Sequence, residues 1–349
     1  MPIRPHQVVA RLVLVAASCL LVTAEAAAQK VDVLLFKNGD RLTCEVRLLE
    51  RGLLQVKTDS LSTVDIEWAD LASVTADALF EVEMTTGAFH YGRLGPAQPG
   101  ELVVSGDAGS VVVDMDGVFR ITKLEIGFWR RLDGSVDLGG SYTQSSGVGQ
   151  ATIASELKSR RPGFEWRIGY DSSVTLQETG RETSSQNLQA RYTQLLKNRW
   201  LIPGFGIFER NQELGFKLRS TVGAGLGRAI VQSNRTIFTA GAGLAFNREV
   251  PVDGEHNTNF EAVLFVSYDV FTYNFPKIDV RTQVSVYPSM SDAGRIRISS
   301  KAQFRRELFS SDVYAAFTVY DDYDNRPPGG AAKFSTNDLR FTFSFGVTF

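Results

Sequence analysis

Few side chains in this 349-residue sequence could act as nucleophile, base or metal ligand. Beyond residue 28 there are two histidines, His90 and His256, and one cysteine, Cys44. A lipid hydrolase needs a histidine beside a serine, with a third group to orient it. Neither histidine has a nucleophile motif around it. Asp321-Asp322, a pairing an acid protease could use, has no histidine nearby in sequence. Asp253, Glu255 and His256 share one turn and could hold a cation, but a solvated polar turn has the same composition. Cys44 sits on an alternating strand, where a small buried side chain is the ordinary use. These positions predict no enzyme, no metal site and no cofactor.

A second group of charges is more regular. Arg167, Arg191, Arg219, Arg281, Arg295, Arg297, Arg305 and Arg340, with Lys301, occupy the polar positions of alternating segments. Glu156, Glu165, Asp171, Glu261, Asp269, Asp279 and Asp312 occupy equivalent positions. A row of arginines facing a channel selects for anions. The same residues paired with the acids make an ion-pair network that fills a barrel. The network is the plainer reading; the ladder remains the functional alternative.

The elements that position these charges are short strands. From Ser135 onward, segments of about ten residues alternate in hydropathy and are separated by turn residues. Twelve are expected, near 135–144, 149–159, 163–174, 184–196, 199–210, 214–230, 235–248, 257–271, 276–288, 293–307, 311–323 and 336–349. The fifth is weakened by Pro203. The last is clearest: Leu339, Phe341, Phe343, Phe345, Val347 and Phe349 oppose Arg340, Thr342, Ser344, Gly346 and Thr348. No segment beyond residue 28 is apolar for long enough to span a bilayer as a helix. Strands that alternate have a mean hydropathy near zero, as here, and still cross lipid.

Such a sheet must close in lipid, because an open edge leaves backbone groups unpaired. The strand near 135–144 is therefore expected to pair with the one near 336–349. An even strand number puts both ends on one side. Phe345 and Phe349 read as the assembly signal of the last strand, for which the partners are barrel assembly machinery and outer-membrane lipid. Trp129, Trp200, Tyr273, Phe275, Tyr287 and Tyr323 are candidates for interfacial girdles. Connections 175–183, 249–256 and 324–335 should be outer loops.

Residues 1–28 read as a secretory signal: Arg4 and Arg11, an apolar core from Leu12 to Val22, then small residues. Cys19 lies in a poor lipidation context. Residues 29–125 form a second region that repeats itself. Gly39, Gly52, Leu54, Val56, Asp59, Ser62 and Val64 recur 48 positions later as Gly87, Gly100, Leu102, Val104, Asp107, Ser110 and Val112. Each copy reads as strands joined at glycine turns, Lys37-Asn38-Gly39-Asp40 being a tight hairpin. A tandem SH3-like or Sm-like all-β domain is expected, lying in the periplasm ahead of a transmembrane antiparallel barrel over 126–349. The domain is a binding module, for peptidoglycan or a partner protein, or else a plug. Trp68 and Phe89 are expected in its core. A net charge of -2 and the lack of a stacking run argue against nucleic acid.

Four stretches, LLFKNGDRLTCEV, LRSTVGAGLGRAIV, TAGAGLAFNRE and FTFSFGVTF, resemble a family of uncharacterised outer-membrane proteins described as salt-induced. The resemblance implies a bacterial outer-membrane β-barrel and implies no activity. Three functions stay open: a structural or passive-channel barrel, a binding module anchored by a barrel, and a barrel enzyme acting on lipid.

Overall fold

The computed structural model describes residues 31–107, 109–124, 132–143, 148–177, 182–211, 214–252, 255–272, 277–308, 313–327 and 335–348. Among the sequence expectations, the signal segment, Trp129, Asp253, Tyr273, Phe275, Asp312 and Phe349 lie outside the described residues.

Nine strands make the first sheet: β1 (Asp32–Phe36), β2 (Arg41–Glu50), β3 (Leu53–Lys57), β4 (Thr63–Glu67), β5 (Leu71–Met84), β6 (Phe89–Pro96), β7 (Glu101–Gly106), β8 (Gly109–Asp114) and β9 (Val118–Lys123). The 48-residue repeat is visible in its hydrogen bonds. Phe36 N–H donates to Asp40 in the first copy, and Met84 N–H to Ala88 in the second. Trp68 N–H donates to the Gly52 carbonyl, and Met115 N–H to that of Gly100. Each of those donors opens a short 3-10 turn, Trp68–Asp70 or Met115–Gly117, that the sequence pattern gives no sign of.

The copies are fused rather than merely adjacent. β5 is 14 residues long. Its first half closes the first copy against β1, and its second half opens the second copy against β6 and β9. β9 also reaches back to β2. One core serves both copies, with Leu34, Val46, Leu54, Trp68, Phe80, Leu102 and Ile121 buried. Each fully buried aliphatic side chain contributes about 1.5–3 kcal/mol. Cys44 is buried there, and the Trp68 indole donates to the Met115 carbonyl at 2.7 Å, tying one 3-10 turn to the other.

Twelve strands follow: β10 (Asp133–Thr143), β11 (Val148–Arg161), β12 (Phe164–Gln177), β13 (Glu182–Leu195), β14 (Trp200–Asn211), β15 (Phe216–Gln232), β16 (Thr236–Pro251), β17 (Asn257–Phe271), β18 (Ile278–Pro288), β19 (Ile296–Glu307), β20 (Val313–Asp324) and β21 (Asn337–Thr348). They form a closed antiparallel barrel in chain order. β10 and β21 close it, in register from Ser135–Thr348 to Gly139–Ser344. Pro203 does not end β14. It lies opposite Thr193 of β13, while the ladder to β15 passes from Leu201–Gly227 to Gly204–Ala224. The missing N–H falls in that gap.

Which face is buried decides what kind of barrel this is. On β21, Leu339, Phe341, Phe343, Phe345 and Val347 are each 48–57 % exposed, and Ser344 is 5 % exposed. Arg219, Asn247, Glu249, Asn259, Glu261 and Arg295 are buried. A barrel built for water buries its apolar face. This one turns that face outward, the arrangement that lipid requires. Trp200 and Tyr323 are exposed near opposite ends of the barrel. Tyr287 is not a girdle residue: it shares the parity of Asp279 and Arg281 and is buried in the lumen.

Candidate functional site

The inward side chains form the candidate site, together with the first sheet that sits at one end of the barrel. At the other end is a belt of ion pairs. Arg219 and Glu249 are direct cross-strand partners on β15 and β16, with Nε to Oε1 at 2.8 Å. Arg219 also donates to Asp324 at 3.1 Å. Arg295 donates to Glu249 at 2.8 Å and to Asp324 at 2.6 Å. Arg297 binds both oxygens of Glu261, at 2.9 and 2.6 Å. Two guanidiniums also lie over rings, Arg219 over Phe216 at 4.0 Å and Arg297 over Tyr287 at 4.8 Å. Charges taken this far from water persist only when paired and hydrogen-bonded.

Further along the lumen, Arg281 binds Asp269 at 3.2 Å, and Arg167 reaches Glu165 at 3.2 Å and Glu156 at 3.6 Å. Arg340 donates to Ser173 at 2.9 Å and lies over the Tyr320 ring at 4.8 Å. Arg305 lies over Tyr314 at 3.6 Å. Lys301 and the Tyr320 hydroxyl share Asp171, at 3.4 and 2.9 Å. Arg191 lies opposite Arg167 in register, on the inward face of β13. The eight arginines picked out by spacing thus share one lumen. Five of them, Arg167, Arg219, Arg281, Arg295 and Arg297, are committed to carboxylates.

At the other end, the first sheet is bound to the barrel rim. Arg160 at the end of β11 pairs with Glu83 and lies 3.9 Å from Glu81, both on β5. Lys158 reaches Glu50 at 3.5 Å. Gln232, at the end of β15, donates to Glu83 at 2.8 Å, and Asn234 to the Val118 carbonyl at 3.0 Å. Lys277, just before β18, binds Asp65 at 2.9 Å. Arg51 pairs with Asp279 and lies over the Phe271 ring at 4.9 Å. Gly87 packs on the backbone of Arg199, in the turn before β14. Four barrel turns, those after β11, β13, β15 and β17, hold the domain across the mouth.

The electrostatics at this junction follow from its burial. Burial raises Glu50, but Arg120, Lys158 and Arg51 outweigh it and hold the carboxyl well below its ordinary range. Glu81 goes the other way: burial pushes it up, and Arg160 only partly opposes this. Burial and the neighbouring Glu81 carboxylate push the Tyr91 hydroxyl up to about 12.

Lys158, Arg160 and Lys277 escape sequence reasoning, although they have a signal: they are basic residues at strand ends on one side of the barrel. Their acidic partners, Asp65, Glu81 and Glu83, sit on strands of the repeat and look like ordinary surface charge. Phe345 faces outward. His90 lies on β6 opposite Val82, and His256 is exposed just before β17 at the far end.

Among solved structures, the chain is similar to a porin titled "NanC porin structure in rhombohedral crystal form", at 11 % identity and a TM-score of 0.37, over 61 % of this chain and 97 % of that one. A "Bacterial polysaccharide outer membrane secretin" is matched at 10 % identity and a TM-score of 0.34, over 62 % and 97 %. The siderophore receptor PirA from Pseudomonas aeruginosa is matched at 12 % and 0.27, over 70 % and 45 %. No curated protein matches the sequence. Residues 136–349, from β10 to the end of the chain, match the family described as "Protein of unknown function, DUF481", and the chain belongs to that family.

Proposed function

We propose that the protein is a bacterial outer-membrane barrel closed on its periplasmic side by its own N-terminal domain. It is a structural or gated element rather than a freely open pore. The carrying observation is the docking of the domain on four barrel turns, through Arg160–Glu83, Lys277–Asp65, Asn234–Val118 and Gly87–Arg199. Orientation follows loop length. Connections on the domain side are short, such as 162–163 and 233–235, and the far side carries 325–336. Barrels of this type keep short turns in the periplasm and long loops outside. The ion-paired lumen fits the same reading, since arginines bound to carboxylates offer little net charge to a passing anion.

Planar-bilayer recording tests this. The intact protein is expected to be nearly silent, and a variant with Arg160→Glu and Lys277→Glu to show stepwise openings. Large steady conductance from the intact protein would sink the lid. Silence from both would leave a structural barrel and remove the gate.

A second reading rests on β8. Among the described residues it pairs with β7 alone, and its Val111 and Val112 are 44 % and 57 % exposed. An apolar edge strand that has no proline and carries its charge, Asp114, only at its end is open to strand addition by a partner. Cross-linking at Val112 in cells would recover a periplasmic partner if this is the domain's role. We propose no catalytic role.

A further inference from the structure

The outer wall of the barrel carries a patch of charge that the ion pairs of the lumen leave untouched. Arg210 of β14, Lys217 of β15 and Arg248 of β16 lie at the end away from the domain, and all three are exposed. Arg248 points outward, opposite Ser220 and Thr258 and on the same face as Phe246. Arg210 shares the face of the exposed Phe208. The acids beside them turn the other way: Glu249 is buried in the belt and Glu209 lines the lumen. Among the described residues no carboxylate pairs with any of the three.

Two of these charges are pushed together. The ladder between β14 and β15 slips between Glu209–Arg219 and Asn211–Phe216, so Arg210 faces both Lys217 and Leu218. A bulge of this kind re-aims side chains at a barrel rim, and like charges held opposite one another are destabilising. β16 adds Arg248, so the three span two strand spacings, roughly 10 Å. An anion relieves such a cluster, and phosphate suits it, because guanidiniums bind phosphate oxygens with two parallel hydrogen bonds. The breadth of the patch suits two phosphates better than one.

Depth in the membrane narrows the class. Trp200 is exposed at the near end of β14, with Arg228 over its ring. Arg210 stands ten positions further along, about 34 Å of strand and about 26 Å along the membrane normal at a tilt of about 40°. The outward apolar band of such barrels is about 25 Å tall, so Arg210 lies where acyl chains give way to headgroups. On the membrane side of the patch, Phe208, Leu218 and Phe246 are exposed. A ligand on this wall is therefore apolar at one end and anionic at the other. Leu176, Thr258, Ile296, Tyr323 and Leu339 hold outward positions near the same rim on other strands, and none is charged. The charge is thus a local patch rather than a girdle.

We propose that this wall binds a lipid of the outer leaflet whose headgroup carries two phosphates. The proposal rests on the orientation given above, with the domain in the periplasm, and names a partner for the outer face.

The test uses the full chain, folded in a neutral detergent and titrated with diphosphoryl lipid A. Monophosphoryl lipid A and phosphatidylglycerol are the comparisons, and bound lipid is counted by native mass spectrometry. One basic residue beside an anionic lipid surface is worth about fivefold in affinity. Diphosphoryl lipid A should bind saturably and more tightly than either comparison by about that factor or more. Arg210→Gln, Lys217→Gln and Arg248→Gln should each weaken it about fivefold, and the triple variant about a hundredfold. Arg228→Gln, on the same wall at the opposite end, should leave it unchanged. Retention of the heat-sensitive gel shift by each variant separates lost binding from lost folding. If the folded triple variant keeps the wild-type affinity, if either comparison lipid binds as tightly, or if Arg228→Gln weakens binding as much as the patch variants, the proposal is overturned while the barrel reading stands. Orientation is read separately, by labelling His256→Cys on intact cells with a membrane-impermeant maleimide. Labelling supports the outer-leaflet assignment, and a site closed to the reagent overturns both the orientation and the assignment.

Discussion

Arg160, at the end of β11, binds Glu83 of β5, a residue 77 positions earlier in the chain. The contact joins the membrane part of the molecule to the domain ahead of it, and both side chains are largely buried, 13 % and 8 % exposed. Removing one partner of a buried pair leaves the other charge desolvated, at about 3–5 kcal/mol. Arg160→Ala is expected to loosen the domain by about that much and leave the barrel intact. Hydrogen exchange should then speed up in β5 and β9 and stay unchanged in β15 and β16. Uniform protection in the variant would mean that the pair does not hold the domain down.

Gly39 and Gly87 occupy the same turn in the two copies, with φ of +92° and +81°. A Cβ on Gly39 would meet nothing within 4 Å, whereas on Gly87 it would strike the Arg199 backbone. A left-handed L-residue costs about 1–2 kcal/mol. Gly39→Ala should show only that cost in domain unfolding. Gly87→Ala should add displacement of the domain from the barrel. Equal effects in denaturant titration and in the hydrogen exchange of β13 and β14 would contradict the docking.

Arg295 is 2 % exposed and serves both Glu249 and Asp324. In Arg295→Met those two carboxylates keep Arg219 as their ion-pair partner among the described residues. The barrel should lose about 3–5 kcal/mol, read as a lower temperature for the heat-dependent gel shift. Adding Glu249→Gln should recover part of the loss. A double variant weaker than the single one would rule out charge imbalance as the cause.

Glu81 and Glu50 give the domain opposite pH dependences. Burial, only partly opposed by Arg160, raises Glu81, so the folded state holds its proton above the ordinary value of 4.5. Its contribution therefore favours folding at low pH and fades as pH rises from 4.5 through the raised value. Glu50 is lowered despite its burial, because Arg120 and its basic neighbours prevail; its contribution is present above 4.5 and is lost as pH falls through the lowered value. Glu81→Gln should flatten the loss of stability above pH 4.5, and Glu50→Gln should weaken the domain at neutral pH. Denaturant midpoints at pH 5 and pH 8 measure both. A Glu81→Gln variant that keeps the full wild-type slope above pH 4.5 would discard the assignment.

The strands of the barrel were legible because period-two alternation survives in each one, even across Pro203. The inward direction of Arg219, Arg295 and Arg297 was legible for the same reason. Their partners were not. Arg219 finds Asp324 across 105 positions of chain, and only the register of several ladders brings them together. The repeat was plain from its glycines, yet nothing in the spacing says that β5 belongs to both copies. The junction with the barrel was hidden for a related reason. Lys158 and Arg160 alternate correctly within β11, so they read as lumen or rim charge until the domain is in place above them.

The seam between β10 and β21 sets a timetable. Its two strands are the first and last of the barrel, so no closed ring exists until the final segment of chain has been delivered. The nine-stranded domain owes nothing to that segment and can finish folding while the barrel is still an open sheet. The turns that hold the domain lie between β11 and β18, away from the seam, so the mouth beneath the domain becomes a closed ring only when β21 pairs with β10.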